Sequence, residues 1–238
     1  KQDIPFMKYS RLSAAISIII FVLSASFLAT KGLNLGIDFT GGTIMEVSYP
    51  DGIDVQDIRD TLQSIDLEDS QVQNFGTEKD VLIKLPLKEG QSIAELSEKV
   101  SSALRLDNNS MQVRRVESVG AQVGEELYED GALAILFVCL GIVLYLAMRF
   151  EWRFAIAAII ANMHDVIIIL GFFSLFQWEF NLTVLAAVLA VLGYSVNESV
   201  VVFDRVRENL RKASMRNSTI SEVMNNAITR TMSRTIMT

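Results

Sequence analysis

The chain has 238 residues, with 21 basic and 28 acidic side chains and a net charge of −7, which is length enough for one or two domains. One cysteine and one histidine exclude a disulfide framework and a Cys/His zinc cluster, and the acidic balance argues against nucleic acid as a ligand. Half of the residues are apolar. That share sits at the upper edge of the globular average, so placement along the chain separates membrane from soluble protein.

Lys1, Lys8 and Arg11 precede the first apolar stretch, residues 12–30, which has no charge. It is read as a retained anchor, because its apolar run exceeds that of a cleaved signal. Three further stretches follow at residues 132–148, 154–178 and 182–203. Each reaches the roughly 20 apolar residues that a helix needs to cross a bilayer.

Between the first and second stretches lies a polar block, residues 31–130, with 20 acids and 9 bases, or −11, so the rest of the chain is +4. Residues 43–49 alternate as a strand, and 54–65 have helical spacing through Val55, Ile58 and Leu62. Residues 71–75 and 81–85 are short strands. A helix starts at Ser92, with Glu95 completing a capping box, and runs through Ile93, Leu96, Val100 and Leu104. Residues 112–119 alternate again. The order β-α-β-β-α-β predicts a ferredoxin-like domain, two helices on a four-stranded antiparallel sheet. The expected fold class is therefore an α-helical polytopic membrane protein with an α+β ferredoxin-like extracytoplasmic domain. The block has no histidine or cysteine, and its acids are read as a solvated surface.

Bases orient the chain, because they are retained on the cytoplasmic side. Arg149 and Arg153 lie between spans two and three; Arg205, Arg207, Arg211, Lys212 and Arg216 follow span four; the turn at residues 177–181 has none. The expected topology is N-terminus inside and acidic block outside. The domains read as 1–30, cytoplasmic N-terminus and first span; 31–130, the extracytoplasmic domain; 131–205, spans two to four; and 206–238, a basic segment, an amphipathic helix and the start of a fifth span. The amphipathic helix is capped by Thr219 and Glu222, and its Ile220, Val223, Met224, Ala227, Ile228 and Met232 form a stripe expected to lie along the cytoplasmic membrane surface. With no initial methionine and apolar residues gathering at the end, at least one more span is expected beyond Thr238.

Two acids interrupt the spans. A carboxyl at membrane depth costs about 2.5–3.5 kcal/mol and faces a bundle interior, where it marks a functional route. Asp165 lies eleven residues into span three, with Asn162 one turn before it on the same face and His164 about 100° away. Glu198 lies about six residues inside the basic cluster, with Tyr194, Ser195 and Arg205 placed on its face. The pattern suits a carboxyl that gains and loses a proton. The structural alternative is a hydrogen bond to a neighbouring helix, worth roughly 0.6–2 kcal/mol. Cys139 reads as a small packing group, and Ala186, Ala190 and Gly193 as a face for close helix packing.

Four strings carry a resemblance. Gly36-Ile37-Asp38-Phe39-Thr40-Gly41-Gly42-Thr43 is similar to the motif that opens the extracytoplasmic domain of SecD and SecF proteins. Residues 191–210, with Gly193-Tyr194-Ser195-Val196-Asn197-Glu198 and Phe203-Asp204-Arg205, resemble the fourth-span signature of SecF. Phe150-Glu151-Trp152-Arg153 and His164-Asp165-Val166 fall where that family has the same strings. The resemblance covers nearly the whole chain. It implies a subunit of the bacterial inner-membrane protein-export complex, related to the resistance-nodulation-division transporters. It further implies six spans, two of them beyond Thr238, and SecD, the SecYEG channel, YajC and YidC as partners. Exported unfolded polypeptides would be the substrate and a proton or sodium gradient the drive, with no cofactor, metal, nucleic acid or enzymatic activity. Carried over, the ion pathway falls on Glu198, Arg234, Asp165 and Asn197, supported by His164, Asn162, Tyr194 and Ser195. The family usually shows Asp where Glu198 stands, so the acid is kept and lengthened by one methylene. Asp38, Phe39, Thr40, Gly41 and Gly42 are read as structural, with glycine allowing an unusual backbone turn. An assembly partner without ion coupling and a fragment of a small-molecule exporter are the other readings.

Overall fold

A computed structural model describes residues 3–86, 92–107, 110–212 and 218–237. The flanking Lys1 and Arg216 lie outside the described residues. The chain divides into two compact units, one of Lys1–Asn34 with Leu133–Thr238 and one of Leu35–Ala132. In chain order the elements are α1 Ser10–Lys31 after a 3-10 turn at Phe6–Tyr9, β1 Asn34–Leu35, α2 Ile37–Thr40, β2 Gly42–Ser48, α3 Val55–Ser64, β3 Gln71–Phe75, β4 Thr77–Leu85, α4 Ile93–Asp107, β5 Gln112–Val119, α5 Ala121–Arg149, α6 Trp152–Phe176, β6 Glu179–Phe180, α7 Leu182–Arg211 and α8 Ile220–Met237.

In the polar unit, β3, β4, β2 and β5 form an antiparallel sheet in that order. Met45 and Val47 of β2 alternate with half-buried Ile44 and Glu46, and they join Ile58 and Leu62 of α3 and Val100 and Leu104 of α4 in one core. Asp54 caps α3 by accepting from the Gln56 amide at 2.9 Å. β4 starts four residues before the alternating run that predicts it. Thr77, Glu78, Lys79 and Asp80 carry no apolar side chain, so the turn at Gly76 (φ +77°) and backbone pairing extend the strand there.

Tyr49 closes this core, 1% exposed, and its hydroxyl lacks a hydrogen-bond partner among the described residues. Burial, and secondarily the charge of Asp107, push its pKa from 10 up to about 12. The unfolded chain loses this proton near pH 10 and the folded one near 12, so stability is complete below 10 and falls between those values. Thermal unfolding followed between pH 9 and 12 is expected to show that loss, and Tyr49→Phe to remove the part due to this residue. An unchanged slope in the variant refutes the assignment.

In the apolar unit, four helices are long and apolar enough to cross a membrane: Phe6–Lys31, Ala121–Arg149, Trp152–Phe176 and Leu182–Arg211. α5 extends eleven residues ahead of its apolar run, through the polar turns containing Gln122, Glu125 and Glu129. α6 stops at Phe176, where Gln177 turns left-handed (φ 53°), so Trp178 lies outside the helix. α1 packs along α6, α6 on α7, and α7 on α8.

The capping box of α8 is formed, with the Thr219 amide donating to Glu222 and the Glu222 amide to the Thr219 hydroxyl. Apart from Ile220, which is 77% exposed, its apolar stripe does not face outward as the spacing suggests. Val223 and Ala227 are buried with Val206 of α7, because a protein face of matching shape is present beneath them. Asn226 accepts from Asn209 at 3.0 Å and donates to Asp3, while the Met7 amide donates to Asn225. Arg149 of α5 meets Asp204 of α7 in a salt bridge.

The small-residue face of α7 is a second correction. Ala186, Ala190 and Gly193 are exposed, and the side turned into the unit carries Leu185, Val188, Leu192 and Val196. Larger apolar side chains bury more area against α6 than alanine or glycine would.

Candidate ion-coupling site

α7 carries two polar positions three residues apart, about 4.5 Å of helix rise. The first is Glu198, half-buried, whose Oε1 accepts a hydrogen bond from the Thr235 hydroxyl of α8. Arg234 precedes Thr235 in the last turn of α8 and is exposed, pointing about 100° away from it. No charge or motif marks Thr235 in the sequence. Its spacing of four from buried Thr231 is the signal that places it on the α7-facing side.

The second is Ser195, whose hydroxyl donates to Asp165 Oδ2 of α6 at 2.6 Å. Asp165 Oδ1 lies 3.1 Å from His164 Nδ1, and His164 Nε2 lies 2.5 Å from the Ser17 hydroxyl of α1. Phe21, one turn after Ser17, stacks on the imidazole with ring centroids 5.9 Å apart and planes 5° from parallel. One chain of polar groups therefore joins three helices. No charge or motif marks Ser17 and Phe21 either, although Ser17 and Ser24 stand seven apart and so share a face of α1.

Other expected members lie elsewhere. Asn162 is buried, but its amide donates back to the Ala158 carbonyl at 2.8 Å, and its Oδ1 is unpartnered among the described residues. Tyr194 is 63% exposed and Asn197 is exposed, while Arg205 pairs with Glu208. Neighbours on a helix point about 100° apart, so Ser195 can meet α6 only if Tyr194 turns away. Cys139 is half-buried.

The motif at residues 36–43 forms a single helical turn, α2, with Ile37 and Phe39 buried, then Gly41 (φ +69°) and Gly42 (φ +132°). A Cβ on Gly41 would lie 2.9 Å from the Ala121 Cα, and one on Gly42 would lie 2.9 Å from the Leu85 carbonyl oxygen. Backbones touch at both positions, which only glycine permits. Among the described residues no group of three or more His, Cys, Asp or Glu side chains could hold a metal.

Residues 99–238 match the family described as protein export membrane protein SecD/SecF, C-terminal, and residues 26–49 match the SecD/SecF GG motif. The protein translocase subunit SecF of Calditerrivibrio nitroreducens is 44% identical over 99% of this chain and 78% of its own length. That of Vibrio alginolyticus is 43% identical, over 100% and 75%. A crystal structure of SecDF, a translocon-associated membrane protein from Thermus thermophilus, is 33% identical with a TM-score of 0.84, covering all of this chain and 32% of the longer one. A super-membrane-facing form of SecDF is also similar, at a TM-score of 0.67 and 34% identity.

Proposed function

The chain belongs to the SecF family of protein translocase subunits, and we propose from this that it couples an ion gradient to protein export across the bacterial inner membrane. SecD is the partner in this reading, and the complex works with the SecYEG channel, YajC and YidC on unfolded polypeptides emerging from the membrane. The observation that carries it is the Glu198 carboxyl on a span, in contact with the neighbouring helix through Thr235. Gain or loss of a proton or sodium ion there changes what Thr235 meets, and so biases the arrangement of α7 and α8, with Arg234 in the same turn of α8. Asp165 of α6 and its partners supply a second titratable position, joined to α7 through Ser195.

The polar block is read as extracytoplasmic and ferredoxin-like. The strand order β3-β4-β2-β5 supports the second point. The first is supported by the basic flanks and by the N-terminal segment, which reaches Asn225 and Asn226 of α8 on the cytoplasmic side of the assignment.

The test is export of a secreted substrate in vesicles containing the full-length complex, with proton and sodium gradients imposed separately. One gradient is expected to accelerate export, and that gradient names the ion. If neither does, the coupling reading fails and the subunit serves assembly alone.

A further inference from the structure

His164 is held on three sides. Ser17 meets Nε2, Asp165 meets Nδ1, Phe21 lies parallel to the ring, and Asp165 is itself fixed by Ser195 from the opposite helix. Both ring nitrogens are paired, as burial requires of any histidine, but here the partners differ in kind. A carboxylate accepts only, so it fixes Nδ1 as the protonated nitrogen and leaves Nε2 with its lone pair. A hydroxyl both donates and accepts, so Ser17 suits Nε2 with or without a proton.

We propose that His164 Nε2 is a second proton-binding site of the membrane bundle, built so that a proton enters and leaves while α1, α6 and α7 stay joined. In the neutral ring, Nδ1–H donates to Asp165 Oδ1 and the Ser17 O–H donates to Nε2. When a proton arrives from water, an Nε2–H bond forms, the Ser17 hydroxyl rotates to accept from it, and the charge of the His164–Asp165 pair goes from −1 to 0. Every heavy atom keeps its neighbour. The charged groups facing the ring are few: α1 has none between residues 12 and 30, α6 has Asp165, and α7 has Glu198, one turn beyond Ser195 and engaged by Thr235. The inference extends the ion-coupled reading, on which it rests for its purpose, but it concerns different atoms.

The experiment is magic-angle-spinning NMR of the full-length protein in lipid bilayers, labelled with 13C,15N-histidine and 15N-aspartate so that the His164–Asp165 peptide bond identifies the ring. At pH 8 the ring is expected to carry one proton, on Nδ1, and at pH 5 to carry two, reversibly. A ring that keeps a single protonated nitrogen down to pH 5, or that carries its neutral proton on Nε2, overturns the proposal. A silent His164 beside gradient-driven export that needs Glu198 refutes this inference alone, and a titrating His164 beside export indifferent to both gradients refutes only the coupling reading.

Discussion

Glu198→Gln is expected to abolish the response of export to an imposed gradient while leaving assembly with SecD intact. Glutamine has the size of glutamate, and its amide oxygen still accepts from the Thr235 hydroxyl, so the α7–α8 contact survives. What disappears is the titratable proton and the negative charge of the carboxylate. The expected loss is at least tenfold in gradient-driven rate, about 1.4 kcal/mol or more of coupling. Glu198→Asp retains the acid but draws it back by one methylene from Thr235, and is expected to fall between the two. Thr235→Val removes the donor and leaves the acid; a severalfold loss there, with normal abundance, assigns the coupling to the α7–α8 contact. Export by Glu198→Gln at the rate of the unmodified protein would leave the assembly role as the surviving reading.

How far the sequence carries this picture depends on which force shaped each element. The strands at residues 43–49, 71–75 and 112–119 and the helix at 54–65 were legible because half-burial imprints a period on the side chains. They appear within a residue at each boundary. The first half of β4 left no imprint, since backbone pairing and polar contacts such as Arg114–Asp80, rather than a buried apolar face, hold four polar residues in the sheet. The start of α5 was hidden for a related reason: a helix leaving an apolar span can continue through Glu125, Glu126 and Glu129 at little cost in propensity. In the site, the acids stood out because charge is rare in a span. Their partners did not, because serine and threonine are common in membrane helices and only the neighbouring helix decides which of them matters. Ser17 and Thr235 became visible when α1 met α6 and α8 met α7.

That dependence on helix contact makes Gly171 the position with the largest expected structural effect. A Cβ placed there would lie 2.2 Å from the Ser24 Cβ and 2.6 Å from its Cα, far inside any real contact, so the α1 and α6 backbones cross directly at this point. Ser24 is 5% exposed, and one turn on, the Ser174 hydroxyl donates to the Phe27 carbonyl at 2.8 Å. Gly171→Ala forces α1 outward and strains that bond; Gly171→Val forces it further and is expected to cost about 3 kcal/mol or more by overpacking. The same displacement pulls Ser17 away from His164, so the variant couples packing to the polar chain. Gly193 on α7 is the internal control, because nothing lies within 4 Å of its Cβ position, and alanine there is expected to be neutral or slightly stabilising. Thermal unfolding of the purified protein in detergent or bilayers separates the two. Ser24→Gly is expected to rescue Gly171→Ala in part by vacating the space the new methyl needs, a non-additivity that only direct contact explains. Equal tolerance of alanine at 171 and 193 would mean that α1 and α6 do not cross at this glycine.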